Sequence, residues 1–171
     1  MTNPSPVARH EAAHAVVAEC IGLTVEEVTI KPSFRIDPLT GERVDVAGRT
    51  LVRYCPDTAG RELAGIALAA ARIEVERGFE WKGPGRMVDY DSDEEKLRTL
   101  AAESGIRDDE FAAWRQSLDD RARRILYRPD VTEAVRAIAL ELDKLQTIPP
   151  EMVGDTWQLY AELDHGTECP Q

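Results

Sequence analysis

Ser5-Pro6-Val7-Ala8-Arg9-His10-Glu11-Ala12-Ala13-His14-Ala15-Val16-Val17-Ala18-Glu19-Cys20-Ile21-Gly22 is the stretch on which the reading of this chain turns. From His10 to Ile21 it is rich in Ala, Val and Glu, with neither Gly nor Pro inside, which predicts a helix. Ser5-Pro6 suits the helix start and Gly22 its end. Each helical residue advances about 100°, so side chains four apart fall within about 40° of each other, one turn along. His10 and His14 therefore point the same way and can share one metal ion. Glu11, one residue on, can reach a water on that ion without becoming a ligand, the geometry of a general base. This is the His-Glu-x-x-His pattern. It holds two of the three histidines in the chain, which weighs against two imidazoles meeting on one helix face by accident.

A hydrolytic site needs a third ligand and an open coordination position. His165, in Asp164-His165-Gly166 near the end of the sequence, reads as a surface histidine. The run Val88-Asp89-Tyr90-Asp91-Ser92-Asp93-Glu94-Glu95 offers several carboxylates just before a helix. Ser92-Asp93-Glu94-Glu95 also fits a capping box, with acids well placed against the helix dipole. The residues alone leave the third ligand open.

Outward from the motif the period changes. Val25 to Ile30 reads as a strand, and Gly48 to Tyr54 has the same character. Between them Pro38-Leu39-Thr40-Gly41 is turn chemistry, so a small antiparallel sheet is expected, with a polar loop from Pro32 to Val46. Arg61 to Arg77 is an alanine-rich helix whose Leu63, Ile66, Ala67, Ala70 and Ile73 follow helical spacing, and it is expected at the centre of the fold. Further helices are expected at Asp93 to Ser104, Asp108 to Tyr127, Asp130 to Gln146 and Glu151 to Leu163. The fold class is α+β and predominantly α-helical: a zincin-like His-Glu-x-x-His helix, a small sheet and a helical bundle. At 171 residues, without repeats or low-complexity segments, one domain over 1–171 suffices.

The net charge of −11 repels phosphate backbones and anionic lipid, which argues against nucleic acid and membrane as partners. The longest apolar stretch, Leu63 to Ala71, is far short of the roughly 20 residues that span a bilayer. Cys20, Cys55 and Cys169 are odd in number and widely spaced, so reduced thiols in the cytoplasm are expected. Cys20 and Cys55 read as small buried hydrophobes, Trp81, Trp114 and Trp157 as packing residues, and Arg121, Arg123 and Arg124 as solvated partners of Asp119 and Asp120.

Ala8-Arg9-His10-Glu11-Ala12-Ala13-His14-Ala15 resembles the His-Glu-Ala-Gly-His-Ala helix of the FtsH-type peptidase domain, the proteolytic half of ATP-dependent membrane proteases. Val25-Glu26-Glu27-Val28-Thr29-Ile30-Lys31-Pro32 resembles the strand that follows it there. Gly65 to Gly78, with Arg72, Glu74 and Glu76, is similar to the central helix, and Ile148-Pro149-Pro150-Glu151 to the segment after the last long helix. The resemblance runs in order through nearly the whole chain, though only the first helix and strand are specific. It implies a Zn2+ site with His10, His14 and Asp93 as ligands and Glu11 as base. Asp91 and Asp89 are alternatives in that register, and Glu74 or Glu76 could serve as third ligand or orient a motif histidine. Ala13 stands where the family usually has Gly, and Ser33 to Ala47 is a longer loop. No Gly-x4-Gly-Lys-[Ser/Thr] occurs, so the family's ATP-driven unfolding is not implied by this sequence.

The expected function is a zinc metallopeptidase that cleaves unfolded or flexible polypeptides, with the Gly48 to Tyr54 strand as an edge for an extended peptide. An ATPase acting in trans and self-association are compatible partners. The competing expectation is a zinc-binding regulatory or interaction module that has lost its chemistry.

Overall fold

The computed structural model describes residues 3–36, 40–77 and 91–165, which form a predominantly helical α+β fold. Among them are six helices and five strands. In chain order these are α1 (Pro6–Cys20), β1 (Thr24–Thr29), β2 (Ser33–Ile36), β3 (Arg43–Val46), β4 (Arg49–Arg53), α2 (Thr58–Glu76), α3 (Asp91–Glu103), α4 (Asp108–Leu126), α5 (Pro129–Leu145), β5 (Thr147–Ile148) and α6 (Pro150–His165).

Helix α1 starts where its chemistry dictates. The Ser5 hydroxyl accepts from the Ala8 amide at 3.2 Å, and Pro6 occupies the first turn, where no amide donor is needed. Ser5 is itself fixed to α5, its amide donating to Asp143 Oδ2 at 2.6 Å. Every residue from His10 to Ala18 is buried, so α1 is enclosed on all sides, packed against α2, α5, β1, β4 and α6. Its short Ala and Val side chains let these neighbours come close. The centre of the fold is thus shared: α2 also buries much of its length, but α1 is the more enclosed. Gly65 of α2 shows how tightly α2 and α4 meet, because a Cβ there would lie 2.7 Å from Leu118 Cδ1.

The main sheet has the order β4-β1-β5, antiparallel throughout. A bulge between Val25 and Glu27 shifts the register, so Val25 and Val28, three apart, both face inward and are buried. Val28 lies opposite Thr50, and Val25 opposite Val52. Strand β5 was not anticipated. It exists because Gln146 takes a left-handed conformation (φ 62°) after α5 and turns Thr147–Ile148 back onto β1.

The expected polar loop over Pro32 to Val46 instead contains a separate two-stranded sheet, β2 with β3, in which Ser33 lies opposite Val46 and Ile36 opposite Arg43. Phe34 and Ile36 remain exposed, so no buried face marked this hairpin in the sequence. Other packing expectations also change. Cys55 is exposed and Cys20 only half-buried. Arg121 pairs with Glu62, and Asp119 is taken by Arg72. Trp114 and Trp157 pack against the core as expected, whereas Trp81 lies outside the described residues. No helix among the described residues is long and apolar enough to cross a membrane.

Candidate metal centre

His10 and His14 leave α1 on the same face one turn apart, with ring centroids 4.7 Å apart and planes nearly perpendicular (85°). Their Nε2 atoms approach to 3.2 Å. Asp93, in the first turn of α3, closes the group: its Oδ2 lies 3.0 Å from each Nε2. All three residues are buried. Ser92 lies within helix α3, and its side chain is outside the described residues.

The backbone of α2 sets the orientation of His14. Its Nδ1 is 2.8 Å from the carbonyl oxygen of Ala67, which can only accept, so Nδ1 carries a proton and Nε2 faces Asp93. Burial works against a charged His14, but the Asp93 carboxylate outweighs it and raises the pKa above the ordinary histidine value. Burial likewise opposes ionised Asp93, yet His14, followed by His10, holds its carboxyl far below the usual carboxylate range. Lys96 Nζ adds a contact of 3.0 Å to Asp93 Oδ1, leaving Oδ2 as the oxygen that faces the histidines.

Two imidazole nitrogens and one carboxylate oxygen, buried and within 4.8 Å of one another, fit a divalent ion that favours mixed N/O donors. The carbonyl behind His14 is the partner that metal-binding histidines usually have. Glu74 and Glu76, which the sequence also raised, do not join this group. Glu74 is buried against Arg9, whose Nε lies 3.1 Å from its Oε1, with Arg77 at 3.7 Å from Oε2. Glu76 is exposed and paired with Arg72 at 2.8 Å. Asp89 and the side chains of Asp91 and His165 lie outside the described residues.

Glu11 is buried beside the group, and its Oε2 accepts from the Thr50 hydroxyl at 2.7 Å. Thr50 and Gly48 were not singled out by sequence. The only signal was their place in or just before the strand that pairs with β1, which brings them over α1. A cleft of about 590 Å³ opens onto Glu11, His10, His14 and Asp93, with β4 along one wall and α3 along the other. No known family model matches the chain, and no curated protein is significantly similar to it.

Proposed function

We propose that this chain is a zinc-dependent endopeptidase acting on unfolded or flexible polypeptides, with His10, His14 and Asp93 as ligands and Glu11 as general base. The observation that carries the reading is the convergence of three buried donor atoms beside a carboxylate that opens onto the same cleft. The resemblance of α1 and β1 to FtsH-type peptidase domains, which shares His10, Glu11 and His14 with this site, agrees with the reading.

When bound, zinc supplies a Lewis acid that polarises the scissile carbonyl and brings the pKa of water to about 7. The chain's own groups do the rest. Glu11 accepts the proton of the attacking water and returns it to the leaving amine as the C–N bond breaks. Among the described residues strand β4 pairs with β1 on one side only, and its residues line the cleft, so an extended chain can add to it as a further strand. Such pairing uses main-chain groups and needs a locally unfolded substrate. An ATPase in trans would deliver one.

The test is hydrolysis of unfolded casein by zinc-loaded protein, compared with Glu11→Gln. The wild type is expected to cut and the variant to bind zinc without cutting. Intact casein with the zinc-loaded wild type, or cleavage at wild-type rate by the variant, overturns the reading.

A further inference from the structure

The carboxylate of Glu11 meets two residues of the β3–β4 segment, Thr50 at Oε2 and Gly48 at Oε1. The Thr50 hydroxyl sits 2.7 Å from Oε2 and 3.2 Å from the Glu11 carbonyl oxygen. Its single proton serves Oε2, the nearer of the two acceptors. At the other oxygen Gly48 leaves room. A Cβ at that position would stand 2.8 Å from Glu11 Oε1 and 2.9 Å from Cγ, closer than non-bonded carbon and oxygen tolerate. What such a Cβ would meet is a flexible side chain rather than backbone, so an alanine there would displace Glu11 more readily than unfold the strand.

The geometry points to Thr50 and Gly48 as the positioning residues of the general base. Thr50 occupies one carboxylate oxygen, and the bare Cα of Gly48 leaves room for the other. Neither hydrogen-bonds to the ligand group, so their effect on the base runs through Glu11, beside what the strand contributes to binding the polypeptide. The same short segment lines the cleft, so the strand proposed to receive the polypeptide also seats the base. As a statement about catalysis this rests on the peptidase reading; as a statement about the placement of Glu11 it does not.

The experiment compares wild type, Thr50→Val, Thr50→Ser and Gly48→Ala in two measurements. The first is steady-state cleavage with zinc affinity measured alongside. Thr50→Val and Gly48→Ala are expected to lower kcat about 10- to 100-fold, the order of loss when an outer partner of an active-site group is removed, with zinc affinity unchanged. Thr50→Ser, which keeps the hydroxyl, restores kcat. The second is NMR of the Glu11 side chain by three-bond couplings, which needs neither metal nor substrate. A single rotamer is expected in wild type and Thr50→Ser, an averaged set in Thr50→Val, and a different rotamer in Gly48→Ala. Unaltered Glu11 couplings in both Thr50→Val and Gly48→Ala overturn the proposal, as does Thr50→Ser losing as much kcat as Thr50→Val. If no protein in the series cleaves, the peptidase reading fails while the couplings still decide the placement.

Discussion

His14 Nδ1 and the Ala67 carbonyl lie 2.8 Å apart, so a backbone oxygen of α2 decides which nitrogen of an α1 imidazole faces the ligand group. With Nδ1 donating to Ala67, a hydrogen bond from Nε2 to Asp93 requires the doubly protonated ring. That is the charge state favoured by the raised pKa of His14. A metal ion replaces the Nε2 proton and leaves the Ala67 contact intact. Zinc and protons therefore compete for one atom.

This competition fixes the pH dependence. A histidine with a raised folded-state pKa stabilises fully below its unfolded value of about 6.5, and the contribution fades as pH rises through the folded value. Asp93, with its pKa lowered, contributes above about 3.9 and loses this as acid reaches its folded value. The metal-free pair therefore stabilises most between about pH 4 and about pH 6.5. In chelator, Tm is expected to fall above that window, with a shallower fall in His14→Gln. The Tm increment from zinc should grow over the same rise in pH, because binding releases a proton. An increment that shrinks as pH rises contradicts this.

Asp93 and Glu74 are both buried acids that the sequence offered as ligands, and they separate cleanly in a binding titration. Asp93→Asn should lose stoichiometric zinc binding, because a neutral amide replaces the anionic donor facing both histidines. Glu74→Gln should keep full stoichiometry. Calorimetric titration of the two variants checks this, and the reverse order would move the third ligand to α2.

The Arg9–Glu74 contact joins α1 to α2 with Glu74 almost wholly buried. Removing Arg9 leaves the buried Glu74 carboxylate with the longer Arg77 contact at 3.7 Å, so Arg9→Met should destabilise by about 3 kcal/mol in urea unfolding. The double variant Arg9→Met/Glu74→Met should recover a good part of that loss. Strict additivity of the two single losses would mean the pair is not coupled in the folded protein.

Gly65→Ala places a methyl 2.7 Å from Leu118 Cδ1, in a region where Leu118 is fully buried. A cost of about 1–3 kcal/mol is expected from overpacking. Added to Leu118→Ala, the same substitution should cost less or become favourable, because it enters the space vacated. Unfolding midpoints of the two singles and the double measure the coupling, and equal costs in both backgrounds would contradict the packing described.

The sequence carried the helices and the first two strands of the main sheet because their apolar spacing is strong and local. It also carried His10, Glu11 and His14, whose spacing is a property of one helix. The meeting of Asp93 with them was legible only through the family resemblance, since 79 residues separate it from His14 and no local period encodes that distance. The β2–β3 hairpin was missed because Phe34 and Ile36 are exposed and bury no face. Strand β5 was missed because two residues carry no periodicity, and the left-handed Gln146 that creates it is not a glycine. Thr50 and Gly48 gave no sign of their role, because contact with Glu11 depends on β4 crossing α1.

The most direct test is anomalous diffraction at the zinc edge from crystals grown with zinc and from crystals soaked in chelator. A peak about 2.0–2.2 Å from His10 Nε2, His14 Nε2 and an Asp93 carboxylate oxygen, lost in chelator, is the predicted result. Zinc-grown crystals with no anomalous density among these three side chains would contradict it.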